Sequence, residues 1–404
     1  MPAVTARLLL LLMLAAPVMH AEEAPATPNA AAIAGLTQRY AEQPHSHDLA
    51  YFLARFAADD GLTEQSVQWL AKLGESGWTL GINPHDFDTL AGKPGYDDAA
   101  GRLHRQFVRR SSGQRHQLVK APDFLAEGTA YDAKRQRILL GSFTTAQILS
   151  VDARGKTRRL WSAAGSHYVL GMAIHPDGES VLAAVNPKAA QRASGERPFV
   201  IRLRLSDGKA LSRTPAPEGM VLNDLCLMPD GSLYATDSEQ SRLFRADPAL
   251  ENLTPWEQAG NPIAANGIAC DATRRAVYVA VYNGIRRIDT GDASTRLLAT
   301  PAGEFVGGGD GLYLDGDRML SVQNGIGAGR IWRAQLDAAG NALSNVQTLD
   351  AGADDMDEPT TGAFVPGGFV YIANSQIWKW NDAEDRLRTG LAIHPIVLRR
   401  IALE

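Results

Sequence analysis

Asp310-Gly-Leu-Tyr-Leu-Asp315 is one of six short segments that share a pattern, and that pattern decides the fold. The others read Glu127-Gly-Thr-Ala-Tyr-Asp132, Leu170-Gly-Met-Ala-Ile-His175, Asn223-Asp-Leu-Cys-Leu-Met228, Asn266-Gly-Ile-Ala-Cys-Asp271 and Thr361-Gly-Ala-Phe-Val-Pro366. Their first residues fall 43, 53, 43, 44 and 51 positions apart. A period of roughly 40 to 50 residues carried by short strands is the signature of a β-propeller, one blade per repeat. Six repeats predict six blades. Aligning the copies brings Glu127, Asn223, Asn266 and Asp310 to equivalent places, with Leu170 and Thr361 completing the ring. Inner strands of a propeller run along its central tunnel, so the residues that enter them meet at one mouth.

Working outward, each repeat turns at a Gly- or Asp-rich point and continues into an alternating second strand. Arg137-Ile-Leu-Leu-Gly-Ser142, Ala276-Val-Tyr-Val-Ala-Val281 and Phe369-Val-Tyr-Ile-Ala-Asn374 are examples. Third strands follow at Gln147–Asp152, Arg242–Asp247, Gly284–Asp289 and Arg330–Gln335. Pro176-Asp-Gly178 and Pro229-Asp-Gly231 supply tight turns between first and second strands. An open sheet edge invites aggregation, so the ring must close. The candidate closing strands are one near His116–Lys120, paired with blade six, or the terminal Pro395–Leu403.

Ahead of the repeats, residues 32–113 read as a small helical segment, with Ser111-Ser112-Gly113 as linker to a propeller over residues 114–404. Leu49, Phe52, Leu53 and Phe56 fall on one stripe. After the turn Asp59-Asp60-Gly61, Thr63 is the expected N-cap of a second helix carrying Val67, Leu70, Ala71 and Leu73 inward. A third helix is expected from Asp97 to Arg110. The antiparallel pair resembles a single tetratricopeptide-type repeat, the alternative being a helical cap. Such a segment offers a surface for a protein partner.

The first 21 residues hold Arg7 and then an apolar run from Leu8 to Val18, too short to span a bilayer, which reads as a removed signal peptide. Residues 22–31, rich in Ala and Pro, read as a flexible lead. No later stretch reaches about 18 uninterrupted apolar residues, so the mature chain is expected to be exported, periplasmic or secreted, without a membrane span. The full chain of 404 residues has a formal charge of −5, which gives no reason to expect nucleic acid. Cys226 and Cys270 are the only cysteines, lying in first strands of neighbouring repeats. Two buried free thiols are expected, with an inter-blade disulfide the alternative in an oxidising compartment.

Two carboxylates and two amide oxygens around an axis make a hard-cation site. Calcium takes six to eight oxygen ligands, mixing carboxylates, amide carbonyls and water. Asn-Gly and Asp-Gly are also common turn pairs, but turn residues need not share one phase of a repeat, and these four do. A divalent ion there polarises a carbonyl and acidifies water, which ester and lactone hydrolysis both use. His167, three residues before Leu170, is a candidate general base or substrate contact, although a solvated loop histidine is the preferred reading. Gly307-Gly-Gly309 has no following Lys-Ser/Thr and is no phosphate loop, and neither Gly-x-Ser-x-Gly nor His-Glu-x-x-His occurs.

The Glu127-Gly, Asn223-Asp, Asn266-Gly-Ile and Asp310-Gly-Leu segments resemble the metal motifs of the senescence-marker/gluconolactonase (regucalcin-like) family, over roughly residues 115–404. The resemblance implies a six-bladed propeller, a divalent metal and hydrolysis of lactones or related esters. It makes Glu127, Asn266 and Asp310 direct ligands, Asn223 a ligand or substrate contact, and Asp310 a candidate base or nucleophile. Calcium is the expected ion, with zinc, magnesium and manganese as alternatives. The family's sugar-lactone enzymes carry arginine two residues before the blade-three asparagine, where this chain has Val221. Flanked by Met220 and Leu222, it gives an apolar lining that points to a less polar acyl or aryl ester, with Asn223, Leu170 and Thr361 as the other expected substrate contacts. Two rival readings stand beside this one: a non-catalytic binding or scaffold propeller with a structural metal, and a carbon–carbon-forming propeller resembling strictosidine synthase.

Overall fold

The computed structural model describes residues 27–163, 166–260, 262–381 and 384–403. The signal peptide expected over residues 1–21 therefore lies outside the described residues, as does the lead up to residue 26. The chain divides into two compact units, a helical one ending at Arg109 and including Ile326–Ala328, and a β unit from Arg110 onward.

In the helical unit, helices cover Ala30–Glu42, His47–Asp59, Thr63–Glu75 and Tyr96–Gln106. The apolar stripe behaves as its spacing requires: Leu49, Leu53, Leu70 and Leu73 are buried, and Leu36 of the first helix joins them. Four boundaries differ from expectation. The lead already becomes helical at Ala30, and the last helix starts at Tyr96 and stops at Gln106. Thr63 is the first helical residue rather than the cap, because Leu62 precedes the helix and no side chain caps it. Ser66 instead joins the helix pair, its hydroxyl donating to the Ala54 carbonyl at 2.6 Å.

The β unit is a six-bladed propeller of antiparallel sheets. Blade one runs outward through Ala126–Asp132, Arg137–Ser142, Gln147–Asp152 and Thr157–Ser162. Blades two to five start with His167–Ile174, Leu222–Leu227, Ile268–Asp271 and Gly309–Asp315, and each has at least four strands. The last residue of the repeated segment explains the tightness of the first hairpin. Buried Asp132 accepts the Arg135 amide at 3.2 Å and Arg137 Nε at 2.9 Å, and Asp271 accepts the Arg274 amide at 3.1 Å and Arg274 Nη1 at 2.8 Å. The uneven repeat spacing also has local causes. The span of 53 contains the helix Ala189–Ala193 between strands two and three, and the span of 51 contains the nine-residue outer strand Leu343–Ala351.

The hydrophobic core is not one mass but one cluster per blade junction. Leu139, Val169 and Ile201 join blades one and two; Leu182, Leu222 and Phe244 join two and three. Val277 with Tyr234 and Trp332 with Tyr278 fill the next two junctions. Phe369 and Ile331 join five to six, and Leu140 with Val370 and Leu398 returns the series to blade one. Both closing strands proposed from sequence are used together. Ile396–Ala402 is the third strand of blade six, and Gly113–Val119 pairs with it from outside. Arg110–Ser111 adds a fifth strand to blade five.

The free-thiol expectation is corrected. Cys226 and Cys270 form a disulfide, with Cα atoms 5.6 Å apart. The repeat phase itself is the reason, since residues three and four places into adjacent inner strands come within bridging distance.

Candidate metal centre

Glycine follows the axial residue in five of the six segments. At Gly128, Gly171 and Gly267 the close approach of the next inner strand explains it, while Gly311 and Gly362 leave room for Tyr313 and Phe369 of their own blades. A Cβ at Gly128 would lie 1.9 Å from the Leu170 carbonyl oxygen, and one at Gly267 2.0 Å from that of Asp310. Neighbouring strands therefore touch backbone to backbone at the level of the axial side chains.

Glu127, Asn266 and Asp310 converge there. Asp310 Oδ2 accepts Asn324 Nδ2 at 2.6 Å, and the Asn266 side chain also bonds to this carboxyl group. Burial, with the charges of Asp224 and Glu358, pushes Asp310 up to about 8 despite those two bonds. Glu127 is raised well above the ordinary carboxylate range, first by burial, then by Asp310 and Glu358, with the Thr360 hydroxyl acting in the opposite direction. Two acceptors in this group are orphaned: Glu127 Oε2 and Asn266 Oδ1 are buried without a hydrogen-bond partner among the described residues. Buried polar atoms are nearly always satisfied, so an unpaired acceptor beside like charges calls for a cation or an ordered water.

Asn223 is tied in from the side. Its Nδ2 donates to Ser238 Oγ at 2.8 Å, and that hydroxyl donates to the Ala265 carbonyl at 2.5 Å. No hydrogen bond joins it to Glu127 or Asp310 among the described residues. Leu170 and Thr361 are buried in the ring, but the Thr361 hydroxyl is spent on the Glu127 main-chain carbonyl and lies 2.9 Å from Thr129 Oγ1. Val221 is buried, and its amide donates to Asp237 Oδ2 at 3.3 Å.

His167 is not the solvated loop histidine expected. It begins the inner strand of blade two, is 4% exposed, and places Nε2 3.0 Å from Glu196 Oε1 with its ring against Phe199. Its ring is turned into its own blade, and no hydrogen bond or ion pair joins it to the Glu127–Asp310 group among the described residues.

Asp224, Glu358 and Asn324 were not singled out from sequence. Asp224 had a signal, since it stands where the other five segments have glycine. Its carboxylate accepts the Leu225 and Ile268 amides at 2.8 and 3.2 Å, and burial raises it to about 7. Below the axial residues a cavity of about 390 Å³ follows the inner strands, lined by Met172, Asp224, Cys270, Tyr313 and Phe364 among others.

The donor set fits a hard divalent cation. It is made of oxygen acceptors, two of them orphaned, and the charges acting most strongly on it are further carboxylates. No three His, Cys, Asp or Glu side chains converge as ligands among the described residues, so the set depends on amide oxygens.

No protein-family model matches the chain, and no curated protein sequence does. Solved structures similar to it include a gluconolactonase from Xanthomonas campestris, at 14% identity over 73% of this chain and 97% of that one, with a TM-score of 0.49. A virginiamycin B lyase from Staphylococcus aureus matches at 14% identity over 65% and 81%, TM-score 0.47. A luciferin-regenerating enzyme matches at 14% over 70% and 92%, TM-score 0.47. At that identity and TM-score they carry no argument about chemistry, which one fold hosts in many kinds.

Proposed function

We propose that this chain is an exported, metal-dependent hydrolase of a lactone or related ester, acting at a divalent cation in the mouth of the propeller tunnel. The observation that carries the reading is the pair of orphaned oxygens, Glu127 Oε2 and Asn266 Oδ1, buried beside Asp310. Glu127, Asn266 and Asp310 would hold the ion, with Asn223 as fourth ligand or substrate contact. Calcium fits the all-oxygen set best. The ion supplies Lewis-acid polarisation of a carbonyl.

The chain's own groups do the rest. Asp310, held by Asn324, would accept a proton from attacking water or attack the acyl carbon itself. Ser238 fixes the Asn223 amide so that its oxygen faces away from that hydroxyl. Val221 and Leu170 offer no polar partner for sugar hydroxyls. Phe143 and Tyr168, at strand ends near the same mouth, pack with ring centroids 5.3 Å apart and planes tilted by 53°. These favour an apolar acyl or aryl ester over a polyhydroxy lactone.

The test is a panel of lactones and aryl esters run on calcium-loaded protein and on Asp310→Asn. The expected result is turnover by the first and a loss of about 10³-fold or more in the second, with the propeller still folded. Equal turnover by both would discard the mechanism. Tight cation binding without turnover on any substrate would favour the binding propeller, a reading to which the engagement of His167 with Glu196 lends weight.

A further inference from the structure

Asn223 and Asn266 sit on different blades, and the junction between those blades is unusually cross-linked. The Ser238 hydroxyl, bonded to Asn223, reaches the Ala265 carbonyl at 2.5 Å, one residue before Asn266. Thr236 Oγ1 donates to the Asn266 carbonyl at 2.8 Å. Asp224 Oδ2 accepts the Ile268 amide at 3.2 Å. Three and four residues further along the same two strands, the Cys226–Cys270 disulfide adds the one covalent bond between blades among the described residues.

We propose that this disulfide is a positioning element for the cation centre. It holds the inner strands of blades three and four at the separation that keeps the Asn266 oxygen, and that of Asn223 where it serves as fourth ligand, on one ion, so cation affinity depends on thiol redox state. The proposal rests on the cation reading given above. Calcium holds its oxygen ligands at about 2.3–2.6 Å, so a relaxation of strand spacing that carries an asparagine oxygen out of that range is felt in affinity. When the disulfide opens those three hydrogen bonds remain, with a fourth from the Ala264 amide to Ser241 Oγ at 3.2 Å, each worth about 0.5–1.5 kcal/mol net, enough to hold the blades but not their spacing. Cys270 is half-buried and the sulfurs border the cavity of about 390 Å³, which gives a small thiol a route. Reduction by a dithiol transfers two electrons and two protons: the S–S bond breaks, two thiols form, and the dithiol closes to its own disulfide.

The experiment is calcium titration by calorimetry of the full chain in three states: oxidised, reduced with dithiothreitol, and reoxidised. A Cys226→Ser/Cys270→Ser variant runs beside them, and far-UV circular dichroism is read on every sample. Expected is a fall in affinity of about 10- to 100-fold in the reduced and variant proteins, the range for losing a group that orients ligands, with the β signal unchanged and full recovery on reoxidation. Equal affinity in oxidised and reduced protein overturns the clamp but leaves the cation centre standing. Collapse of the β signal on reduction overturns it too, since the bond would then be a staple of the whole fold. Failure of the oxidised protein to bind calcium removes both readings at once.

Discussion

Glu358 sits three residues before Thr361, in the segment entering blade six, with a backbone φ of +57° that residues other than glycine seldom adopt. Its Oε2 accepts Ser375 Oγ at 2.9 Å and the Trp378 amide at 3.2 Å, which aims a carboxylate whose charge raises both Glu127 and Asp310. A fixed negative charge there repels two other carboxylates and attracts a cation. Glu358→Gln should therefore have opposite effects in the two states. Without cation the protein should melt higher, and calcium should bind more weakly, each by on the order of 1–2 kcal/mol for a unit charge at an effective dielectric near 20. Thermal melts in chelator and calorimetric titration read the two quantities. Changes of the same sign, or none, would show that Glu358 is too remote or too hydrated to matter.

At the scale of strands and blades, one arginine ties the closing strands to their neighbours. Arg399, on the third strand of blade six, gives Nε to Asp350 at 3.0 Å and Nη1 to Asp355 at 2.6 Å, and its Nη2 reaches Ser111 Oγ at 3.2 Å. It thereby joins the amino-terminal closing strands to blades five and six. Asp350 is fully buried and also takes the Tyr371 hydroxyl at 2.7 Å. Arg399→Met leaves that carboxylate without its countercharge, and urea unfolding of the β unit should show a loss of about 3–5 kcal/mol. Adding Asp350→Asn should recover part of it; a single variant as stable as the parent would mean that strand pairing alone closes the ring. None of this clasp was readable beforehand. The inner segments were legible because close packing at the axis puts glycine after the axial residue in five of them, and the first hairpin puts aspartate at the end of three, Asp132, Asp271 and Asp315. Outer strands such as Thr157–Ser162 and Ala210–Pro215 face solvent on one side, so nothing fixes their residues and no pattern announces them. The same logic separates the site residues. Glu127, Asn266 and Asp310 share a phase of the repeat, whereas Glu358 and Asn324 come from loops outside it, and the solvated-loop reading of His167 failed because the inner strand of blade two already begins at that residue.

Six blades converge on one axis, so the whole ring bears the repulsion among the acids gathered there. Glu127, Asp224 and Asp310 all have folded-state pKa values raised by burial, with Asp224 near 7 and Asp310 near 8, and Asp237 beside Val221 is raised to about 6. In the unfolded chain such groups titrate at about 4. Between those limits the folded protein holds more protons than the unfolded one, so stability is full below about pH 4 for these groups and declines as pH rises towards 8. A cation that binds only the folded ring opposes the decline, adding about 2.7 kcal/mol at a hundred times its dissociation constant. Melting temperatures at pH 5, 6.5 and 8 should accordingly fall steadily in chelator, and the fall should flatten or reverse in calcium, because the ion takes the place of the protons the ring would otherwise keep. Parallel curves with and without calcium would mean that the acids at the axis are solvated by water alone, and the case for a cation in the tunnel mouth would go with them.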